Sequence, residues 1–134
     1  MTQERYSRQI LFKDIGEHGQ QTINQKHVLI VGMGALGTHV AEGLVRAGIQ
    51  ELTIVDRDYI EYSNLQRQTL FTESDADRML PKVVAAQDHL KHIRSDIKVN
   101  IYIEHVDAQF LEQYATSVDL IIDATDNFET RQLI

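Results

Sequence analysis

A five-residue apolar run, His27-Val-Leu-Ile-Val31, passes directly into Gly32-Met33-Gly34-Ala35-Leu36-Gly37. No other feature narrows the possible folds as far. The run is short, β-branched and closed by glycine, the pattern of a strand buried on both faces of a parallel sheet. Leu36, Val40, Leu44 and Ala47 then recur at helical spacing over Ala35 to Ala47, and Gly48 stands where a C′ glycine ends a helix. A second strand, Leu52-Thr-Ile-Val55, closes on Asp56. Together these make a βαβ crossover of about thirty residues, a unit that is right-handed in nearly all proteins. Within it Gly32 permits the tight turn, Gly34 lets a phosphate approach the backbone, and Gly37 lets helix and strand pack closely. The free N–H groups at the helix start offer that phosphate partial positive charge. Asp56 falls about twenty residues past Gly37, where a carboxylate accepts from ribose hydroxyls. The pattern predicts a nucleotide site without separating NAD from ATP.

The remaining periodicity extends this unit. Tyr6, Ile10 and Ile15 predict a helical arm over residues 1–26 that carries Arg5 and Arg8, ahead of a nucleotide-binding domain over 27–134. Residues 57–80 are polar and irregular, and a loop that long inside a compact domain is usually functional. Pro81 is expected at the first position of the next helix, where its missing N–H costs nothing, with Val83, Ala86, Leu90 and Ile93 as the buried stripe. Val99, Ile101 and Ile103 alternate with Asn100, Tyr102 and Glu104, which predicts a strand near a sheet edge with one polar face. Leu120-Ile-Ile122 reads as a further buried strand, with Asp123-Ala-Thr-Asp-Asn127 leaving its C-terminal end. Asn127 reads as the cap of a helix that begins at Phe128 and has no stop signal. The expected fold is α/β: the N-terminal half of a Rossmann-like doubly wound parallel sheet behind a helical arm, cut from a longer polypeptide.

Composition bounds the function. Against 20 Asp+Glu stand 13 Lys+Arg, and the formal net charge of −7 disfavours generic binding to nucleic acid or anionic membrane. The absence of cysteine removes disulfides, Cys-ligated zinc and a thiolate nucleophile from these residues. No apolar run reaches the ~18 residues of a membrane helix and the first ten residues lack a signal-peptide core, so a cytoplasmic location is expected. His89 and His92 share a helix face, but no third ligand stands at suitable spacing, and they read as solvated. His18, His27, His39 and His105 are scattered and receive no role.

Three polar segments go beyond a plain dinucleotide fold. Ser63-Asn64-Leu65-Gln66-Arg67-Gln68 lies in the long loop, Lys82 follows Pro81, and Asp126-Asn127 leaves the last strand on the edge where open α/β sheets bind ligands. Hydride transfer needs no such set, whereas phosphate chemistry does: cations balance a triphosphate and a carboxylate holds Mg²⁺. Arg5-Tyr-Ser-Arg-Gln-Ile10, Val28 to Gly37, Asp56-Arg-Asp58, Ser63 to Gln68, Pro81-Lys82 and Asp123 to Asn127, in that order, resemble the ThiF/MoeB/HesA family. Its members are adenylyltransferases related to ubiquitin-activating enzymes.

The resemblance implies ATP-dependent adenylation of the C-terminal Gly-Gly carboxylate of a small ubiquitin-like sulfur-carrier protein, with release of pyrophosphate. The pathway would be molybdenum cofactor or thiamin biosynthesis. It implies that Gly32, Gly34, Ala35 and Gly37 approach the phosphates and that Asp56 holds the ribose. Asp58 either assists the nucleotide or metal or caps a turn. Ser63, Asn64, Leu65, Gln66 and Arg67 would hold ATP with Lys82, Asp126 and Asn127, and Asp126 would bind Mg²⁺ unless it only caps the final helix. Arg8 would be an arginine finger reaching a neighbouring subunit, which implies a homodimer, and Arg8, Arg67, Lys82 and Asp126 form the expected catalytic set.

Family members often carry C-x-x-C zinc ligands and a reactive cysteine in a C-terminal half, so zinc is expected only through a part beyond these residues. The stretch Thr72 to Leu80 is longer than the family pattern suggests. Three other readings compete. An NAD-dependent Rossmann oxidoreductase explains Gly32 to Gly37 and Asp56 but leaves Arg67, Lys82 and Asp126 without a task. A non-catalytic nucleotide-binding partner subunit and an ATP-dependent tRNA-modifying dehydratase stay within the family.

Overall fold

The computed structural model describes residues 2–125; Asp126, Asn127 and the helix expected from Phe128 lie outside the described residues. β1 (His27–Val31), β2 (Glu51–Val55), β3 (Lys98–Tyr102) and β4 (Leu120–Asp123) form one all-parallel sheet in the order β3-β2-β1-β4. The helices are α1 (Thr2–Arg5), α2 (Ser7–Leu11), α3 (Gly16–Ile23), α4 (Ala35–Ala47), α5 (Glu73–Asp77), α6 (Lys82–Ile93) and α7 (Ala108–Tyr114). The α/β doubly wound arrangement is as the sequence predicts, and β1 and α4 have the predicted bounds. None of the described helices is long and apolar enough to cross a membrane.

β1 is the centre. Its alternate residues serve two layers: Val28 and Ile30 join the larger core under α4 and α6, while Leu29 and Val31 join Phe110 and Leu111 of α7 on the opposite face. Burial on both faces is why this strand reads as an unbroken apolar run. Register is level at the C-terminal ends, with Val31 opposite Val55 and Asp123, and Val55 opposite Tyr102. The chain goes to β2 on one side of β1 and to β4 on the other, which opens a crevice above β1.

α4 is held at both ends. At its start a Cβ on Gly37 would lie 1.9 Å from the carbonyl oxygen of Gly32, so only glycine lets the helix press onto the turn. At its end Gly48 adopts φ +111° and its N–H returns to Leu44 and Val45. The last carbonyls of a helix lack partners within it. Here Gln9 and Gln20 both donate to Ala47 O at 3.0 Å, Asn24 donates to Gly48 O at 3.0 Å, and Arg94 donates to Val45 O at 2.7 Å and to Ile49 O. The N-terminal segment, broken into α1, α2 and α3, is thereby tied to α4, with Tyr6 buried beside Gly48. Arg94 is 4% exposed and carries no sequence signal of that burial.

Several expectations need correction. Pro81 is the N-cap of α6, with extended ψ of 141°, and not its first helical residue; its carbonyl accepts from Val84 and Ala85. Residues 57–80 are not wholly irregular, because they contain a 3₁₀ turn at Tyr62–Asn64 and α5. α5 accounts for the length of the Thr72 to Leu80 stretch: Thr72 and Asp75 form a reciprocal capping box. His89 is half-buried, and its Nε2 lies 2.7 Å from Asp75 Oδ2, so it joins α6 to α5. Only His92 of that pair is exposed.

β3 is an edge strand among those described, but its polar face is covered: Tyr102 packs edge-on against Phe110 and Tyr114, each at 5.4 Å between ring centroids. Asn100 donates to Glu51 Oε2 at 2.6 Å and to Thr53 Oγ1 at 3.1 Å. Ile103 lies beyond the strand and is exposed. α7, which supplies the cover, is absent from the sequence reading; it is seven residues long, too short for periodicity to mark, although Asp107 caps it from Phe110 N at 2.8 Å. β4 is not fully buried: Leu120 is 51% exposed, and the strand has one neighbour among the described residues.

Gly37→Ala is expected to lower unfolding free energy by about 1–3 kcal/mol in urea denaturation, because the new methyl overlaps backbone that cannot yield. Gly34→Ala should change it by less than about 1 kcal/mol. Burial alone would raise the Asp75 carboxyl, but hydrogen bonds from His89 and from the Thr72 N–H, with the charge of His89, outweigh it and hold the group below its ordinary value. A depressed carboxylate stabilises the fold above its unfolded pKa of ~3.9 and loses that contribution as pH falls through the folded value. Asp75→Asn should therefore reduce stability at neutral pH and flatten the acid limb of a stability–pH curve below about pH 4.

Candidate functional site

A cavity of about 610 Å³ opens at the C-terminal edge of the sheet. That lies within the ~300–1,000 Å³ typical of small-molecule sites. The level register of the strands brings its walls together. Val31, Gly32, Gly34, Ala35 and Leu36 come from the β1–α4 turn, Asp56, Arg57 and Asp58 follow β2, and Glu104, His105 and Val106 follow β3. Asn64, Arg67 and Gln68 come from the long loop, Lys82 from the start of α6, and Ala124 and Thr125 from beyond β4.

The three glycines divide by what requires them. Gly32 adopts φ +98°, and a Cβ there would approach Ala124 O to 3.0 Å. Gly37 is required by the 1.9 Å overlap described above and does not line the cavity. Gly34 has ordinary φ of −88°, and a Cβ on it would meet nothing nearer than Gln68 Nε2 at 3.7 Å. The fold itself has room for a side chain at Gly34, whose bare backbone lies open in the cavity wall. Ala35 opens α4 beside it.

Asp56 first secures this turn. Its Oδ2 accepts from Met33 N and its Oδ1 from Asp58 N, both at 2.7 Å. A carboxylate oxygen has two lone pairs, so each retains one for a second donor. Asp58 also receives the Lys82 N–H at its carbonyl, 2.9 Å away, which fixes the start of α6 against the β2 loop.

The cations differ in setting. Lys82 is 7% exposed, and its one ion pair among the described residues is to Asp58 Oδ2, at 3.9 Å, on a side chain that is 64% exposed. The stem of Lys82 is buried, while its ammonium makes no hydrogen bond among the described residues and reaches the cavity wall, an arrangement that leaves its donors available to an anion there. Arg67 is exposed, and its Nη1 donates to Ser63 O at 3.1 Å, leaving four of the five guanidinium N–H donors for other partners. Asn64 uses its Oδ1 to accept from Glu61 N at 3.0 Å, and its NH₂ makes no hydrogen bond among the described residues.

Of the predicted site residues, Gly32, Gly34, Ala35, Asp56, Asp58, Asn64, Arg67 and Lys82 line one cavity. Ser63, Leu65 and Gln66 do not: Ser63 O receives Arg67 and Gln66, Leu65 packs against the larger core, and Gln66 is exposed. They shape the turn. Arg8 is exposed on α2 and is not part of the cavity wall. Asp126 and Asn127 lie outside the described residues, and those described contain no group of three His, Cys, Asp or Glu that could hold a metal ion. The sequence reading gave no site role to Gln68, which is buried in the wall, or to Glu104, His105 and Val106. The last three follow a strand on the ligand-binding edge, a positional signal that could have found them.

Comparison with known proteins agrees with this arrangement. The ThiF family model matches residues 6–134. The sulfur carrier protein ThiS adenylyltransferase of Bacillus subtilis is 47% identical over 130 residues, spanning 97% of this chain and 39% of that protein. Its Escherichia coli counterpart is 42% identical over 130 residues, spanning 97% of this chain and 51% of that protein. The chain thus spans about half or less of the length of these relatives. Among solved structures, E. coli TcdA, a tRNA N6-threonylcarbamoyladenosine dehydratase in complex with ATP, superposes with a TM-score of 0.83 at 25% identity, over 93% of this chain and 50% of that one. E. coli MccB with ATP gives 0.83 at 30% identity, over 96% of this chain and 40% of that one. The glycine turn, the cation-lined cavity and the match over residues 6–134 lead to one conclusion: the chain belongs to the ThiF family.

Proposed function

We propose that this chain is the nucleotide-binding part of an ATP-dependent adenylyltransferase that activates the C-terminal Gly-Gly carboxylate of a ubiquitin-like sulfur-carrier protein. The observation that carries this reading is the meeting of Gly34, Asn64, Arg67 and Lys82 in one cavity, with the Lys82 ammonium held only by a loose pair to Asp58. A dinucleotide oxidoreductase gives that group no work. The names of the two adenylyltransferase relatives and the ATP complexes of the structural neighbours support the same choice.

In the reaction, a carboxylate oxygen of the carrier attacks the α-phosphorus of ATP, the bond to the β-phosphate oxygen breaks, and pyrophosphate leaves behind an acyl-adenylate. Both reactants are anions. Lys82 and Arg67 reduce the repulsion and stabilise charge that builds on the phosphates, Asn64 orients them, Gly34 admits them to the backbone, and Asp56 accepts from the ribose. No protein nucleophile is needed; positioning and electrostatics carry the rate. Magnesium belongs to this reading through Asp126. Arg8, exposed on α2 and outside its own cavity, belongs to it as a finger offered to a second copy in a homodimer. A tRNA-dehydratase reading draws on the likeness to TcdA, but the 47% identity to a carrier-activating relative favours the carrier.

Calorimetric titration should show saturable MgATP binding and no NAD binding. Arg67→Ala and Lys82→Ala should each weaken MgATP binding by roughly 10–100-fold, the loss of one charge-assisted contact of ~1.5–3 kcal/mol. Gly34→Ala should weaken it without loss of stability. Saturable NAD binding indifferent to Arg67 would sink the reading, and ATP–pyrophosphate exchange that depends on tRNA instead of a Gly-Gly carrier would move it to the dehydratase class.

A further inference from the structure

Among the described residues, one buried side-chain oxygen or nitrogen lacks a hydrogen-bond partner, and it is Gln68 Oε1. The residue is 3% exposed and forms part of the cavity wall. Its Nε2 is the atom nearest the open face of Gly34, 3.7 Å from where a Cβ would stand, and it makes no hydrogen bond to any described residue. The main chain of the residue is held from both sides: its backbone N–H donates to Asn64 O at 2.8 Å and its backbone carbonyl accepts from Phe71 N at 3.1 Å. The loop therefore fixes where the side chain starts, and burial, not a hydrogen-bond partner, confines the carboxamide.

Buried amides in native proteins nearly always have partners, and each exception asks for a reason. At this place an apolar side chain of the same length would suit the fold better, because it would leave nothing unpaired. A glutamine here is disadvantageous to the empty protein, and its one useful group is the NH₂ directed at Gly34. That is also where the fold leaves the backbone bare. On the ATP reading of this cavity, we propose that Gln68 is a phosphate-contacting residue, whose Nε2–H donates to a phosphate oxygen of the nucleotide lying over Gly34. The donor is neutral and directional. It fixes the orientation of the phosphate without placing a further cation beside Lys82 and Arg67, whose charges already serve neutralisation.

This assignment predicts a loss of affinity without a loss of stability, which a structural role for the amide would not give. Gln68→Met keeps the length and removes the amide. Titration of the chain with MgATP is expected to show a Kd raised about tenfold, the loss of one hydrogen bond to a charged group. The midpoint of thermal unfolding without nucleotide should be unchanged or higher. Unchanged affinity would overturn the assignment whatever the stability, and a joint fall in affinity and unfolding temperature would make Gln68 a loop anchor and overturn it too. Should Gln68→Met not fold, Gln68→Glu keeps the size and turns the donor into an acceptor; it should weaken MgATP binding more than tenfold, and parental affinity would reject the proposal. Absence of MgATP binding by the parent chain is a separate result, since it would overturn the nucleotide reading and this inference with it.

Discussion

The contact between Gly37 and the Gly32 carbonyl is the constraint on which the rest of the molecule depends. Because no Cβ intervenes, α4 begins directly on the end of β1, and its first N–H groups face the space above the sheet. The turn between them is held to the end of β2 by Asp56, whose carboxylate accepts from Met33 N at 2.7 Å. The parallel register then carries the same level across to β3 and β4. A crevice whose walls come from four strand ends follows from one close approach.

The far end of α4 shows how the surrounding chain is organised. A helix terminus buried under other elements must have its carbonyls satisfied. The partners come from distant parts of the sequence: Gln9, Gln20 and Asn24 from the N-terminal helices and Arg94 from the end of α6. These bonds do for the N-terminal segment what apolar burial does for the sheet, since α2 has no buried residue and α3 only Gln20. The segment that carries Arg8 is thus docked by polar contacts, with Tyr6 as its main apolar anchor.

The cavity wall holds the places where the fold departs from its own best packing. Lys82 keeps a charge with a loose partner, and Gln68 keeps an oxygen with none. Elsewhere the buried polar groups are well provided for: Asp75 has Thr72 and His89, and Arg94 has two carbonyls and Asp96. Lys82 and Gln68 line the same cavity, and a binding site requires such groups, because groups already paired within the protein would have nothing to offer a ligand.

From the sequence alone, local physics determined β1, α4, the C′ glycine at Gly48 and the roles of Gly32 and Gly37, because each rests on spacing or backbone geometry that a short window contains. The family motifs also brought Asn64, Arg67 and Lys82 to notice. What only the tertiary structure decided depends on partners remote in the chain. Gln68 and Gln66 are the same residue type two positions apart, yet one is buried in the cavity wall and the other exposed, and only the path of the loop separates them. Pro81 serves as a cap because of where α6 begins, His89 is drawn inward by Asp75, and α7 is sustained by Tyr102 packing against it. Seven residues of helix or one buried amide carry too little local free energy to be read in isolation; their state is set by what packs on them.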